Sequence, residues 1–309
     1  TGHRPKDEDF VERMFVCSSH DDILLFSNKG RVYRIKAYEI PEATRIARGR
    51  AIVNIVQIAQ DEKINTLMPV QHGMKGSIAF ATRNGLIKKT RLSEFARINR
   101  NGKIAIKLND NDDLMTVVLT TGHSEIMIAS RSGKCIRFAE SQIRSMGRDT
   151  AGVKAMKLAK DDCLADMMVV DETKDVLTVT SNGHGKRSDL EDYRLQGRAG
   201  KGIKAGIFNE VTGYLVSMKQ VTDQDDVMLI SDNGIIIRMH CDSSSHIGRN
   251  TKGVRLMRLK DGVVATVALT ARDEDEAAEA LAEAAPEVVE APPAIETAET
   301  GVGIDDIDE

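Results

Sequence analysis

Five short apolar runs, each closing on a glycine, return at a nearly constant interval: LLFSNKG, IAFATRNG, IMIASRSG, LTVTSNG and MLISDNG. Their glycines are Gly30, Gly85, Gly133, Gly183 and Gly234, 48 to 55 residues apart. A second glycine follows each one after 17 or 19 residues, at Gly49, Gly102, Gly152, Gly202 and Gly253. In three repeats it lies inside one phrase, GRDTAGVKAMKL, GRAGKGIKAGIF and GRNTKGVRLMRL. A period of this length marks units too thin to bury a face alone, so neighbouring units must stack to make a core.

Local chemistry around the first glycine predicts a β-hairpin. A β-branched residue stands seven positions before it in every repeat (Ile23, Ile78, Ile126, Val176, Val227). Asn-Gly at 84–85, 182–183 and 233–234 supplies the positive φ angles of a tight hairpin turn. Helical periodicity is nearly absent before residue 273, so residues 10–272 are expected to be all-β. Four-stranded units of about 50 residues set radially give a propeller-like disc, and an open solenoid is the alternative.

Charge divides the chain. The net charge is −4, yet residues 273–309 hold 14 of the 47 acidic residues and no lysine or arginine. The first 272 residues therefore carry 33 acids against 43 bases, a net of +10. A basic body with an acidic tail is a pattern of nucleic-acid binders, the tail competing for the basic surface or merely solubilising it. That tail is poor in large apolar side chains and is expected to be disordered. Residues 1–9 read as a linker.

Basic residues keep the repeat's register. Four positions after each first glycine stand Arg34, Lys89, Arg137, Arg187 and Arg238. The second phrase adds Arg45, Arg97, Arg148, Arg198 and Arg249, followed or flanked by Arg48, Arg50, Lys103, Lys154, Lys201, Lys204, Lys252 and Arg255. Bases repeated by a stiff scaffold make a track of positive charge suited to a phosphate backbone, read without regard to base identity. Glycines beside them let backbone N–H groups approach phosphate closely. The competing reading is that these bases solvate strand faces and discourage edge pairing.

Other chemistries fail at the residues. GRAGKGIK lacks the Ser or Thr that follows Gly-Lys in a phosphate loop, since Gly202 follows Lys201. Gly183-His184-Gly185 falls in a hairpin, where no dinucleotide fingerprint belongs. His240, Cys241 and His246 are too weakly spaced to call a metal site, and NDNDDL at 109–114 lacks the glycine and glutamate of a calcium loop. No catalytic constellation and no cofactor site is legible. Cys17, Cys135, Cys163 and Cys241 form no CxxC pair, which points to a reducing compartment. No run approaches the roughly 18 apolar residues of a membrane span, so a soluble, cytoplasmic protein is expected.

The phrases PEATRIARGRAIVNI (41–55), MGRDTAGVKAMKL (146–158), YLVSMKQVTDQDDVMLISDNG (214–234) and HIGRNTKGVRLMRL (246–259) resemble the C-terminal domain family of DNA gyrase A subunits. The resemblance spans residues 7–270. It implies a β-pinwheel, a propeller-like disc whose blades exchange strands and around whose basic rim double-stranded DNA bends. It further implies an accessory role in a type II topoisomerase that introduces negative supercoils, with ATP and Mg2+ serving the complete enzyme. Implied partners are the gyrase ATPase subunit and the catalytic N-terminal part of the polypeptide to which such a domain belongs, in a heterotetramer of the bacterial nucleoid. The isolated domain is expected to be monomeric and to touch no membrane. Six blades are usual in the gyrase domains, so a first blade with its Gln-Arg-Gly-rich box is expected upstream; Gln196–Gly202 here is a cousin of that box. Tyr33, Tyr38, Tyr193 and Tyr214 lack the arginine-tyrosine setting of a cleavage residue, so no active site is expected in this chain. The matching domain of topoisomerase IV is the nearest rival reading. A protein-binding propeller is a more distant one, disfavoured by the absence of tryptophan.

Overall fold

A computed structural model describes residues 17–42 and 50–271. The linker 1–9, Arg45, Arg48 and the acidic tail 273–309 lie outside the described residues. The first repeat supplies β1 (Asp22–Ser27), β2 (Arg31–Lys36) and β3 (Ile64–Val70). The second supplies β4 (Ser77–Thr82), β5 (Leu86–Arg91), β6 (Lys103–Ile104) and β7 (Leu114–Thr120). The third gives β8 (Glu125–Ser130), β9 (Lys134–Ala139), β10 (Val153–Lys154) and β11 (Leu164–Val169). The fourth gives β12 (Asp175–Thr180), β13 (His184–Ser188), β14 (Ile203–Lys204) and β15 (Leu215–Val221). The fifth gives β16 (Asp225–Ser231), β17 (Ile236–His240), β18 (Val254–Arg255) and β19 (Val264–Ala271). Helix among the described residues is limited to single 3-10 turns, so the all-β, blade-repeat expectation holds.

Sheet order shows how the blades are built. The four-stranded sheets run β3-β1-β2-β6, β7-β4-β5-β10, β11-β8-β9-β14 and β15-β12-β13-β18, and the last runs β19-β16-β17. The two-residue strand of each repeat therefore completes the sheet of the repeat before it. In the last three repeats those two residues are the Val-Lys, Ile-Lys or Val-Arg of the recurring phrase. Val153 pairs with Ile87, Ile203 with Cys135 and Val254 with Gly185.

The phrase's second glycine is demanded by this exchange. Gly202 has φ +69, and a Cβ there would stand 2.3 Å from the carbonyl oxygen of Cys135 in the preceding blade. Only glycine accepts both the left-handed backbone and the close approach.

The core sits between blades. Within β1, Leu24 and Phe26 pack towards the second sheet while Ile23 and Leu25 join a separate cluster on the other face. Both faces are buried, which explains an unbroken apolar run where a half-exposed strand would alternate. Phe26, Phe80 and Phe95 meet edge-on or tilted, with centroids 5.6 to 6.3 Å apart. Burying each such side chain is worth about 1.5–3 kcal/mol. Three further clusters repeat the arrangement between successive sheets, led by Ile136 and Phe138, by Met127 and Tyr193, and by Leu229 and Met257.

Candidate nucleic-acid interface

The bases four residues after the first glycine are engaged inside the scaffold. Arg137 Nε lies 2.5 Å from Glu125, and Arg187 lies 2.6 Å from both Asp175 and Asp223. Arg238 Nε is 2.7 Å from Asp226, and Arg34 faces Asp22 at 3.9 Å. All four primary acids stand eight residues before the repeat's glycine, on the strand that pairs with the base's own. In the second repeat Ser77 occupies that place, and Lys89 pairs instead with the fully buried Glu140 of the next repeat at 3.2 Å. Glu140 is itself pushed up by burial. Bonds from Thr120, Lys89 and Ser124 outweigh that push and hold its carboxyl below the usual range.

Arg34, Lys89, Arg137 and Arg187 also donate across the blade boundary, to the carbonyls of Ala96, Glu140, Leu190 with Tyr193, and Cys241. The structure thus gives that register a role within the scaffold. Five bases in one register are regular because each is set against a carboxylate, and four of them lock a blade to the next. Arg137 and Arg187 are the most deeply engaged, while Arg34 and Arg238 stay partly exposed.

The second phrase builds a different structure. Arg148 Nη1 donates to the carbonyl of Ile104 at 3.3 Å, Arg198 Nη1 to that of Lys154, and Arg249 Nη1 to that of Lys204. Each acceptor belongs to the exchanged strand of the preceding phrase. Backbone bonds reinforce the pattern: Lys107 N to Thr150 O at 3.2 Å, Lys157 N to Gly200 O at 2.8 Å and Ile207 N to Thr251 O at 3.0 Å. Four phrases, at residues 97–108, 147–158, 197–208 and 248–259, are thus stapled end to end.

Arg148, Arg198 and Arg249 are half-buried by this role, and Lys103 is held to the Arg97 carbonyl at 2.7 Å. Exposed along the chain of phrases are Arg97, Lys154, Lys201, Lys204, Lys252 and Arg255, with Arg50 exposed as well. Sequence reading missed exposed bases beside them: Lys107, Lys157 and Arg258, five residues after the second glycine, and Arg144 and Arg194, three before the glycine that opens the phrase. Their repeat spacing was a usable signal. The charge is not uniform, because Asp149 and Glu94 stand on the same stretch and Glu94 lies 3.8 Å from Arg148.

Three glycines distinguish this surface from plain scaffold. Gly147, Gly197 and Gly248 open the phrase, none has a positive φ, and a Cβ at any of them would meet no heavy atom within 4 Å. Neither backbone conformation nor internal packing demands glycine there.

His240, Cys241 and His246 turn to separate partners. His240 Nδ1 is 2.6 Å from the buried Asp226, Cys241 is buried, and His246 lies 3.5 and 3.4 Å from Asp175 and Asp189.

The family described as DNA gyrase C-terminal domain, beta-propeller, matches residues 21–71, 76–121, 124–171, 174–219 and 225–271, one segment per repeat. The chain belongs to the DNA gyrase C-terminal domain family. The DNA gyrase A subunit of Staphylococcus epidermidis is 43% identical over 279 residues, covering 89% of this chain and 31% of the relative. The DNA gyrase A subunit of Escherichia coli K12 is 45% identical over 256 residues, covering 82% and 29%. The chain thus spans about a third of the length of these relatives. A crystal structure of the C-terminal domain of DNA topoisomerase IV superposes with TM-score 0.75 at 25% identity, covering 86% of this chain and 84% of that one. A DNA gyrase A C-terminal domain superposes with TM-score 0.72 at 22% identity, covering 86% and 92%. The fold is therefore shared with gyrase-type domains, as the sequence resemblance implied.

Proposed function

We propose that this chain binds double-stranded DNA along the stapled phrases and bends or wraps it, largely without regard to sequence, as the accessory domain of a gyrase. The observation that carries the reading is the set of three unconstrained glycines, Gly147, Gly197 and Gly248. Each precedes an arginine fixed by a staple, and exposed bases surround them. A bare backbone beside fixed positive charge suits close approach of a phosphodiester.

Energetics support a surface of many contacts. Bending 20–30 base pairs by 40–90° costs on the order of 1–6 kcal/mol, which only several phosphate contacts along the bend offset. The matching family and the 43–45% identity to gyrase A subunits support the gyrase reading. In the complete enzyme this domain would work in the bacterial cytoplasm beside the gyrase ATPase subunit and the DNA-cleaving part of its own polypeptide. It would direct strand passage towards negative supercoils, with ATP and Mg2+ held elsewhere in that assembly. Among the described residues no helix is long and apolar enough to cross a membrane.

The test is topology. Relaxed circular DNA is incubated with the chain, closed with ligase and separated by electrophoresis. A positive linking difference is the expected result. Absence of any binding to duplex DNA at low salt would overturn the proposal.

A further inference from the structure

Two lysines are almost wholly inside the protein beneath the phrases. Lys88 is 0% and Lys186 is 2% exposed, and both stand three residues after the repeat's first glycine. Lys186 Nζ donates to the carbonyls of Gly248 at 3.3 Å, Arg249, and Thr251 at 3.0 Å, and lies 3.2 Å from Thr251 Oγ1. Lys88 Nζ donates to the carbonyls of Arg148 and of Ala105, the latter at 2.6 Å. No carboxylate is in ion-pair contact with either ammonium among the described residues. Compensation is left to loop carbonyls and, for Lys88, the Phe80 ring 5.6 Å away, an expensive way to bury a cation.

A trans peptide sets its C=O and the following N–H in opposite directions. Carbonyls turned in to Lys186 therefore turn the N–H groups of Arg249, Asn250 and Lys252 away from it. Arg249 N–H is taken by Asp192 at 2.9 Å. The N–H groups of Asn250 and Lys252 have no acceptor among the described residues. The same reasoning turns the N–H of Asp149 away from Lys88. N–H groups turned away from a buried positive charge and flanked by exposed Lys252 and Arg255 are donors of the kind that bind an anion.

In the loop between them, at 197–202, the residue at the lysines' place is Ile136, whose Cδ1 would lie 3.4 Å from a Cβ added at Gly200. Ala199 adopts φ 67 there and bonds its N–H to Ala155 O at 2.7 Å. With no cation beneath it that loop takes a different backbone, since Asn250 and Asp149, at the place of Ala199, have no positive φ; the inward-turned carbonyls accompany the lysines.

We propose that Lys186, and Lys88 in the same manner, are positioning residues that shape the loops 248–253 and 147–152 into phosphate-binding sites for the DNA backbone. The assignment rests on the DNA-binding reading above. Loop 248–253 is the stronger site, because Asn250 occupies the place that Asp149 fills with negative charge in the other.

Affinity of the full chain for a 40-base-pair duplex is measured against salt for wild type, Lys186→Met, Lys88→Met and the double variant. Neutralising one phosphate fewer lowers the slope of log affinity against log salt by about 0.9. The expected result is a slope shallower by about one for Lys186→Met and about tenfold weaker binding at low salt, with less change for Lys88→Met. A steep slope identical in wild type and variants overturns this assignment and leaves the DNA reading intact. A wild type that does not bind overturns the DNA reading first.

A second measurement uses wild type alone, should the variants not fold. Burial pushes the Lys186 ammonium down to about 8, with Arg249 adding to the push and Asp192 and Cys135 opposing it. Burial pushes Lys88 to about 8 as well, opposed by Asp149 and reinforced by Arg148. Exposed lysines titrate near 10.4. Affinity at constant salt is therefore expected to fall between about pH 7 and about pH 9.5, and a flat profile overturns the assignment.

Discussion

Arg198 reaches from one phrase to the carbonyl of Lys154 in the phrase before it, at the strand that the third repeat lends to the second. A side chain in one repeat thus secures the seam between two others. Replacing it by alanine removes a charge-assisted bond worth about 1.5–3 kcal/mol in favourable cases, and less here because the group is half exposed. We expect Arg198→Ala to lower the melting temperature by about 2–4 °C and to weaken DNA binding by more than that loss alone. Thermal denaturation and a binding isotherm on the same preparation separate the two effects.

Gly197 and Gly202 sit five residues apart and should behave as opposites. Gly202→Ala places a methyl on the Cys135 carbonyl in a left-handed backbone, at a cost of about 1–3 kcal/mol. Gly197→Ala has open space and an ordinary backbone, so its stability should move by less than about 0.5 kcal/mol. DNA affinity should nevertheless drop for Gly197→Ala. A variant of unchanged stability that binds as wild type would remove the argument from the bare backbone.

Glu140 offers a test of the inter-blade lock. Burial pushes its carboxyl up, and bonds from Thr120, Lys89 and Ser124 outweigh that push and bring it below the ordinary 4.5. The folded protein therefore favours the ionised form. The stabilisation is present above about pH 4.5 and disappears as pH falls through the lower folded value. Glu140→Gln should be less stable than wild type at about pH 7, and the gap should close in acid. A gap that stays constant from about pH 7 to about pH 3 would show that the charge contributes nothing.

The buried lysines have the opposite sign. Folded pKa values near 8 lie below the ordinary 10.5. Between those limits the unfolded chain binds more protons, so their contribution to stability rises with pH. Denaturant midpoints for wild type relative to Lys88→Met/Lys186→Met should shift in favour of wild type from about pH 8 to about pH 10.5. DNA affinity should fall over the lower part of that range, and opposite trends in stability and binding are the distinguishing signature.

Period, hairpins and the all-β class were legible because each rests on local chemistry: Asn-Gly turns, β-branched strand starts and an apolar run buried on both faces. Strand exchange was not legible from pattern. Val153-Lys154 is a two-residue strand whose partner, Leu86-Ile87, lies in the preceding repeat, and so short a pairing leaves no periodicity; only the family resemblance implied it. The register of Arg34, Lys89, Arg137, Arg187 and Arg238 was visible, but the carboxylates and carbonyls that engage it were not. The signal for the carboxylates, an acid eight residues before the glycine, stands in the same sequence at Asp22, Glu125, Asp175 and Asp226. Lys88 and Lys186 gave no warning, since nothing local distinguishes a buried lysine from a solvated one.

The direction in which strands are lent sets an order in time. Since Val153 closes the sheet of the second repeat and Ile203 that of the third, no sheet among the first four is finished when its own hairpin leaves the ribosome. At about 5–20 residues per second, each waits several seconds for the next repeat to emerge, with β2, β5, β9 or β13 unpaired along one side. The charged residues that border those edges, Arg31 and Lys134 among them, then guard a nascent chain against pairing with its neighbours on the same message.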